Sequence, residues 1–190
     1  MELDTLIKHR RNVNPQFFNG AKLSDSQIME ILESANWAPN HGATEPWRFV
    51  IFSDHSRQEL AVFQSNLYKS KVKLESFQQK KYDKLLNTPL LASHIIAVIA
   101  KNSLHPKIPF LEEIIAVSCA VQNILLSAAQ KQIAVHWSTG GMTYSEEMKT
   151  FLGFDQKDTL LGFLYLGKSN DKINQTGYRR SSIEKKIIWK

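Results

Sequence analysis

Four short stretches of this chain carry residue types that do chemistry in proteins: His9-Arg10-Arg11-Asn12, residues 38–49, Trp137-Ser138-Thr139-Gly140, and Arg179-Arg180. In the first, two guanidinium forks stand beside a short amide. Such forks suit phosphate oxygens, and an amide bonds a carbonyl or a ring nitrogen. The same pair equally suits a solvated helix end. In the second stretch, Asn40, His41 and the prolines Pro39 and Pro46 make a rigid polar loop on which a planar ligand could lie, ahead of the apolar Phe49-Val50-Ile51-Phe52. Trp47 reads as the anchor of that apolar run. His41 reads either as a ligand contact or as a hydrogen-bonded loop histidine. The third stretch closes a strand, where ligands gather in layered folds. The fourth is a ligand contact or a solvated tail.

Other chemistries lack their residues. There is no Gly-rich dinucleotide fingerprint, no phosphate loop and no Gly-x-Ser-x-Gly elbow. His9, His41, His55, His94, His105 and His136 show no metal-ligand spacing, so no metal is expected. Cys119 is the single cysteine, which excludes an internal disulfide and fits a reducing compartment. It falls mid-way along an apolar helical pattern, a poor setting for a nucleophile. The net charge of +6 is spread over dispersed lysines without a recognition-helix, zinc-finger or RNA-binding signature. It suits attraction of phosphate-bearing cofactors better than nucleic acid. The first residues carry acids early, and no run approaches the roughly 18 apolar residues of a membrane span. A cytoplasmic protein that binds neither nucleic acid nor membrane is expected.

The elements that must position these residues follow from periodicity. A short helix over 3–11 ends at the arginine pair, and Asn14-Pro15 breaks it. Ser24 offers an N-cap to a helix marked by Ile28, Ile31, Leu32 and Ala35, running to about Trp37. The run 49–52 is apolar on both faces, which predicts a central strand. Residues 56–86 read as one or two exposed helices ending near Thr88-Pro89, a helical excursion at about 56–88. A strand over 94–100, a loop over 101–109 and a long buried helix over 111–130 follow. Then come a strand over 133–137, a turn at 139–141, and a helix over 145–152 with Glu146-Glu147 in its first turn. A strand over 159–166, a polar loop over 170–177 and a helical or docked tail over 182–189 complete the chain. With 190 residues, 43% hydrophobic and 22% charged, one domain over 1–190 is expected, α/β or α+β around a central sheet.

Taken together, these pieces resemble the nitroreductase superfamily over most of the chain. Arg10-Arg11-Asn12 looks like that family's Arg-Arg-Ser start. Ala38-Pro39 through Pro46-Trp47-Arg48-Phe49 looks like its flavin loop and first strand. Cys119-Ala120-Val121-Gln122-Asn123 is similar to its central-helix Ala-x-Gln-Asn pattern. Trp137-Ser138-Thr139-Gly140 and Leu161-Gly162-Phe163-Leu164-Tyr165-Leu166-Gly167 look like its closing segments. The Pro-Asn-His form of the loop and the short chain resemble a compact subgroup.

The resemblance implies an α+β fold, a central mainly antiparallel sheet of about four to five strands surrounded by helices. It implies a homodimer with two FMN molecules at the subunit interface. Hydride would pass from NADH or NADPH through FMN to nitroaromatics, quinones or similar acceptors by a ping-pong route. By position, Arg10 and Arg11 would hold the phosphate or ribityl chain, with Asn12 beside them. Trp37 joins this cofactor set, and His41 would reach the isoalloxazine from the partner subunit. Trp137, Ser138 and Thr139 would line the ring and its phosphate side, Arg179 would approach the phosphate, and Ser127 would serve NAD(P)H. No catalytic side chain is expected, since the chemistry belongs to the flavin. The rival reading is a flavin-binding carrier or sensor without efficient turnover. This chain also departs from the family pattern: Asn12 replaces serine, Ala43 and Glu45 stand where relatives carry Asn and Gln, and Ser138 stands where the compact subgroup can carry arginine. Gln132-Ile133-Ala134 replaces a Gly-rich turn.

Overall fold

The computed structural model describes residues 2–170 and 177–190. Most of the expected polar loop 170–177 therefore lies outside the described residues. The chain forms α1 (Leu3–His9), α2 (Asp25–Asn36), β1 (Trp47–Ser53), α3 (Asp54–Lys71) and α4 (Gln79–Leu91). It continues as β2 (His94–Ala100), α5 (Phe110–Gln130), β3 (Ala134–Ser138), α6 (Glu146–Leu152) and β4 (Thr159–Gly167).

Local chemistry sets the ends of these elements. Ser24 begins α2 with a reciprocal cap: its hydroxyl accepts the Gln27 N–H at 3.3 Å, and the Gln27 side chain accepts the Ser24 N–H at 3.0 Å. Ser145 caps α6 in the same way, its Oγ accepting the Met148 N–H at 3.2 Å. The helix α4 runs past its expected end, through Pro89 to Leu91. Proline cannot donate to the carbonyl one turn back, at Leu85. That carbonyl instead accepts the side-chain amide of buried Gln64 at 2.7 Å, so no buried acceptor is orphaned.

The four strands form one sheet in the order β1-β2-β4-β3, and every neighbouring pair is antiparallel. On one face Trp47, Ile96, Val98, Ala100, Val135, Leu164 and Leu166 pack against Ile28, Ile31, Val117, Ala120, Val121 and Ile124 of α2 and α5. On the other, Phe52, Ile95, Ala97, Ile99, Leu160, Phe163 and Tyr165 pack against Leu60, Met148 and Leu152 of α3 and α6. Leu160 and Phe163 share a face although three residues apart, because the register slips between Val98 and Ile99, opposite Gly162.

The expectations for the run 49–52, for the helices over 56–86 and for the C-terminal tail are corrected, while α5 is the buried helix expected. The apolar run 49–52 belongs to an edge strand, and Ile51 is 41% exposed. Its apolarity reports helices covering both faces, not strands on both sides. The helices over 56–86, read as exposed, bury one face: Leu60 and Ala61 are fully buried, and α3 packs over the sheet. And α5, 21 residues long, is apolar and long enough to cross a membrane by length and composition. Here Ala116, Val117, Ala120, Val121 and Ile124 put it in the core, with the carboxylates Glu112 and Glu113 in its first turn. The C-terminal tail forms a single helical turn, Glu184–Lys186, and leaves Ile188 and Trp189 exposed, undocked on its own chain.

Candidate functional site

Where α1 ends, the Arg10 N–H closes the helix on the Leu6 carbonyl at 2.9 Å, and the chain turns to run along the free edge of β3. The Val13 N–H donates to the Val135 carbonyl at 2.9 Å. One step away, a side chain takes over the work of a strand partner. Asn12 Oδ1 accepts the Trp137 N–H at 2.7 Å, and its Nδ2 donates to the Trp137 carbonyl at 3.4 Å. The Arg11 guanidinium folds back to donate to the carbonyls of Lys8 at 2.7 Å and Arg10 at 2.8 Å. Gly177 lies so close against that guanidinium that a Cβ would collide with it.

Arg10 is half-buried, and its pKa is lowered first by that burial, then by the charges of Arg11 and Arg179. Among the described residues no carboxylate pairs with Arg10 or Arg179. Two guanidinium groups without a carboxylate partner among the described residues, Arg10 and Arg179, suit an anion.

Trp137 forms the wall beside them. Its indole N–H donates to the Leu161 carbonyl at 3.1 Å and lies across Gly162. Gly162 has φ +128, and a Cβ there would fall 2.7 Å from Trp137 Nε1 and 2.6 Å from the Ser138 carbonyl oxygen. Only glycine serves at that point. Arg10, Asn12, Leu125, Trp137 and Thr139 line a cleft of about 300 Å³. Ser138, next in sequence, accepts the Gly140 N–H at 3.4 Å and shapes the turn. One chain thus brings Arg10, Asn12, Trp137 and Thr139 to one cleft, with the charges of Arg11 and Arg179 acting on Arg10 and Ser138 in the adjoining turn.

Trp37 and His41 are not with them. Trp37, 80% exposed, donates its indole N–H to Glu33 at 3.0 Å. His41 Nδ1 stands 2.7 Å from Glu112 Oε2, in the first turn of α5. Its loop is held by Asn40, which accepts the Glu45 N–H at 3.1 Å, and by Ile108, which packs against Gly42 (φ +61). Trp47 is buried and donates to Asn36 at 3.2 Å, an anchor of the core. Glu112 and Leu125 lie on one helix, thirteen residues or about 20 Å apart. The loop precedes β1 at one edge of the sheet, and the arginine cluster flanks β3 at the other. Ser127 is about 200° round α5 from Leu125 and so turns away from the cleft. Within one chain the expected residues thus fall into two separate groups, with Ser127 in neither.

The nitroreductase family profile matches residues 7–168. The chain belongs to the nitroreductase family. YdjA of Escherichia coli (strain K12), named as an NAD(P)H nitroreductase, is 30% identical over 152 residues, 78% of this chain and 81% of YdjA. The crystal structure of a nitroreductase-like protein from Bacillus cereus matches with a TM-score of 0.86 at 24% identity, covering 100% of this chain and 96% of that one. The FMN-dependent nitroreductase NfnB from Mycobacterium smegmatis, solved in complex with NADPH, matches with a TM-score of 0.74 at 18% identity, covering 98% and 97%. The α+β fold with its antiparallel sheet is the fold of this family, and the chain is one of its flavin oxidoreductases.

Two polar partners in this nitroreductase-family enzyme have no signature in the sequence. Glu112 is legible there only as an acid in a helix's first turn, because its partner His41 lies 71 residues away. His136, whose Nδ1 stands 3.2 Å from Asn12 Nδ2, looks like one more strand residue. Other constellations are structural. A cleft of about 600 Å³ at the end of the sheet sets Arg48, Lys101 and Lys157 against Asp155 and Asp158; of the candidate stretch 38–49 it takes in Thr44, Pro46 and Arg48, but not His41. Its Asp158 ties two loops by accepting the N–H groups of Asn102 and Asp155. A Ser93–His94–Asp25 row, with spacings of 3.0 and 3.1 Å, superficially resembles a hydrolase triad. Its serine accepts the Leu23 N–H at 2.8 Å, so the row pins the segment before α2 onto β2. Among the described residues no group of three His, Cys, Asp or Glu could hold a metal.

Proposed function

We propose that this enzyme, a single domain over 1–190, passes hydride from NADH or NADPH through bound FMN to a nitroaromatic, quinone or similar acceptor in a ping-pong cycle. The observation that carries this reading is the cluster of Arg10, Arg11 and Arg179 beside the Trp137 cleft. Its donor set fits the doubly charged phosphate of FMN, with guanidinium forks matching phosphate oxygens. Asn12, Trp137, Ser138 and Thr139 line the rest of that half-site. FMN, when bound, supplies the hydride chemistry, while the chain's residues bind it, orient it and exclude water. The FMN-dependence of NfnB, and its complex with NADPH, support the cofactor and the reductant by analogy.

The separation of Trp37 and His41 from the arginines supports a homodimer in which they complete the partner's site. Around them Trp37, Leu111 (65% exposed) and Ile115 (53% exposed) leave apolar surface suited to cover by a second copy. A role for Ser127 with NAD(P)H likewise requires that second copy, since it faces away from its own cleft. No membrane or nucleic-acid partner enters this reading, and the lone Cys119 suits the reducing cytoplasm.

The purified protein decides between readings. A yellow sample absorbing near ~450 nm, bleached by NADPH without oxygen, is the expected result for a flavin held for turnover. A yellow sample that NADPH does not bleach would instead favour a carrier or sensor. A colourless protein that takes up no added FMN removes both.

A further inference from the structure

The amide of Asn12 has one orientation available. Its Oδ1 accepts the Trp137 N–H at 2.7 Å, and a flipped amide would press its NH2 against that donor. Nδ2 is thereby fixed as the atom 3.2 Å from His136 Nδ1. An amide nitrogen only donates, so His136 Nδ1 must accept. The imidazole is therefore neutral, with its proton on Nε2. A protonated ring would set N–H against NH2 and break the hydrogen bond.

We propose that His136 is a positioning residue, whose neutral ring holds the Asn12 amide on Trp137 and whose protonation releases it, loosening the cleft between Arg10 and Trp137. The groups facing the ring offer an imidazolium no counter-charge. From α4 comes Lys84, a cation, and from β4 comes Tyr165, whose ring lies edge-on with centroids 6.2 Å apart. Tyr165 is buried, its pKa pushed up to about 12, so it stays neutral. On the Asn12 side the preceding residues are Arg10 and Arg11, again cations. Among the described residues no carboxylate forms an ion pair with His136. Burial, and then the charge of Lys84, lower the His136 pKa from its ordinary 6.5. An unfolded chain binds this proton more readily than the folded one. The Asn12–His136 hydrogen bond is therefore intact above pH 6.5 and breaks as pH falls through the lowered folded value.

The device rests on the flavin reading only for its consequence, so its test has two arms. In flavin-free protein, NMR hydrogen exchange, corrected for the intrinsic pH dependence of exchange, should show the Trp137 backbone N–H losing protection with the same midpoint as the His136 ring, below 6.5. His136→Gln, whose side-chain oxygen can accept from Asn12 at any pH, should keep that protection across the range. Lys84→Gln should raise the midpoint. In the second arm, FMN affinity is measured at high and low pH. Wild type should lose roughly tenfold more affinity on acidification than His136→Gln, the worth of about one hydrogen bond. The paired comparison cancels the titration of FMN's own phosphate, with its second pKa near ~6.

A Trp137 N–H indifferent to His136 titration overturns the proposal, as do parallel affinity profiles in wild type and variant. If neither protein binds FMN, the flavin reading fails, and the NMR arm alone decides for His136. If His136→Gln does not fold, the wild-type titration still decides.

Discussion

At the scale of single residues, function and backbone geometry meet in two places. Among the described residues Arg10 and Arg179 have no carboxylate partner, and under the proposed function a phosphate fills that role. Replacing Arg10 and Arg11 with alanine should weaken FMN binding by about 1.5–3 kcal/mol for each charge-assisted hydrogen bond removed, read from equilibrium titration of flavin fluorescence. Unchanged affinity would remove them from the site. Gly162 is the second place. A Cβ there meets the Trp137 indole and the Ser138 carbonyl, at a φ that side chains avoid. Gly162→Ala should cost about 1–3 kcal/mol in stability and displace the Trp137 indole, visible as a shifted indole N–H resonance and a lower thermal midpoint. An unperturbed Trp137 signal would contradict the packing.

Elements show where the chain departs from its relatives and what that departure does. Where the resemblance implies a Gly-rich turn after the central helix, this chain has Gln132-Ile133-Ala134. The helix α5 still ends as if glycine were present: Ile133 N–H donates to the Ala128 carbonyl at 2.8 Å and Gln132 N–H to Ala129 at 3.1 Å. Gln132 adopts the left-handed conformation, φ +56, that glycine takes without strain. Gln132→Gly should therefore stabilise the protein by about 1 kcal/mol, measured as a higher urea midpoint. A decrease would mean that the glutamine side chain contributes something beyond the turn. End-signals of elements in the sequence were dependable here. Ser24 caps where its hydroxyl predicts, and α4 misled only because Gln64, from another helix, satisfies the carbonyl that Pro89 cannot.

For the whole molecule, the two groups of expected residues lie at opposite edges of the sheet, and under the proposed function one ligand meets both only when a second copy supplies one of them. The solution mass should be about twice the chain's 21.8 kDa. Introducing charge as Leu111→Glu with Ile115→Glu should shift that mass toward the monomer and release FMN together. A stable flavin-loaded monomer would contradict the shared site. The C-terminal tail, with Ile188 and Trp189 exposed, is a further apolar segment.

The sequence by itself determined the elements, because caps, apolar periods and prolines act over a few residues. It also carried the motifs of the arginine pair, the Pro-Trp loop and the Trp-Ser-Thr-Gly turn, whose order and spacing along the chain led to the family. The order of the strands belonged to tertiary structure. Apolarity at 49–52 records that helices cover both faces, and it holds equally for a central strand and for an edge strand sandwiched between layers. Tertiary structure also decided which polar groups meet. His41 with Glu112, and His136 with Asn12, join residues 71 and 124 positions apart, and nothing local in either residue's neighbourhood encodes its partner. Long-range hydrogen bonds follow from how α5 and β3 pack, and that packing is decided by the apolar faces of every layer at once.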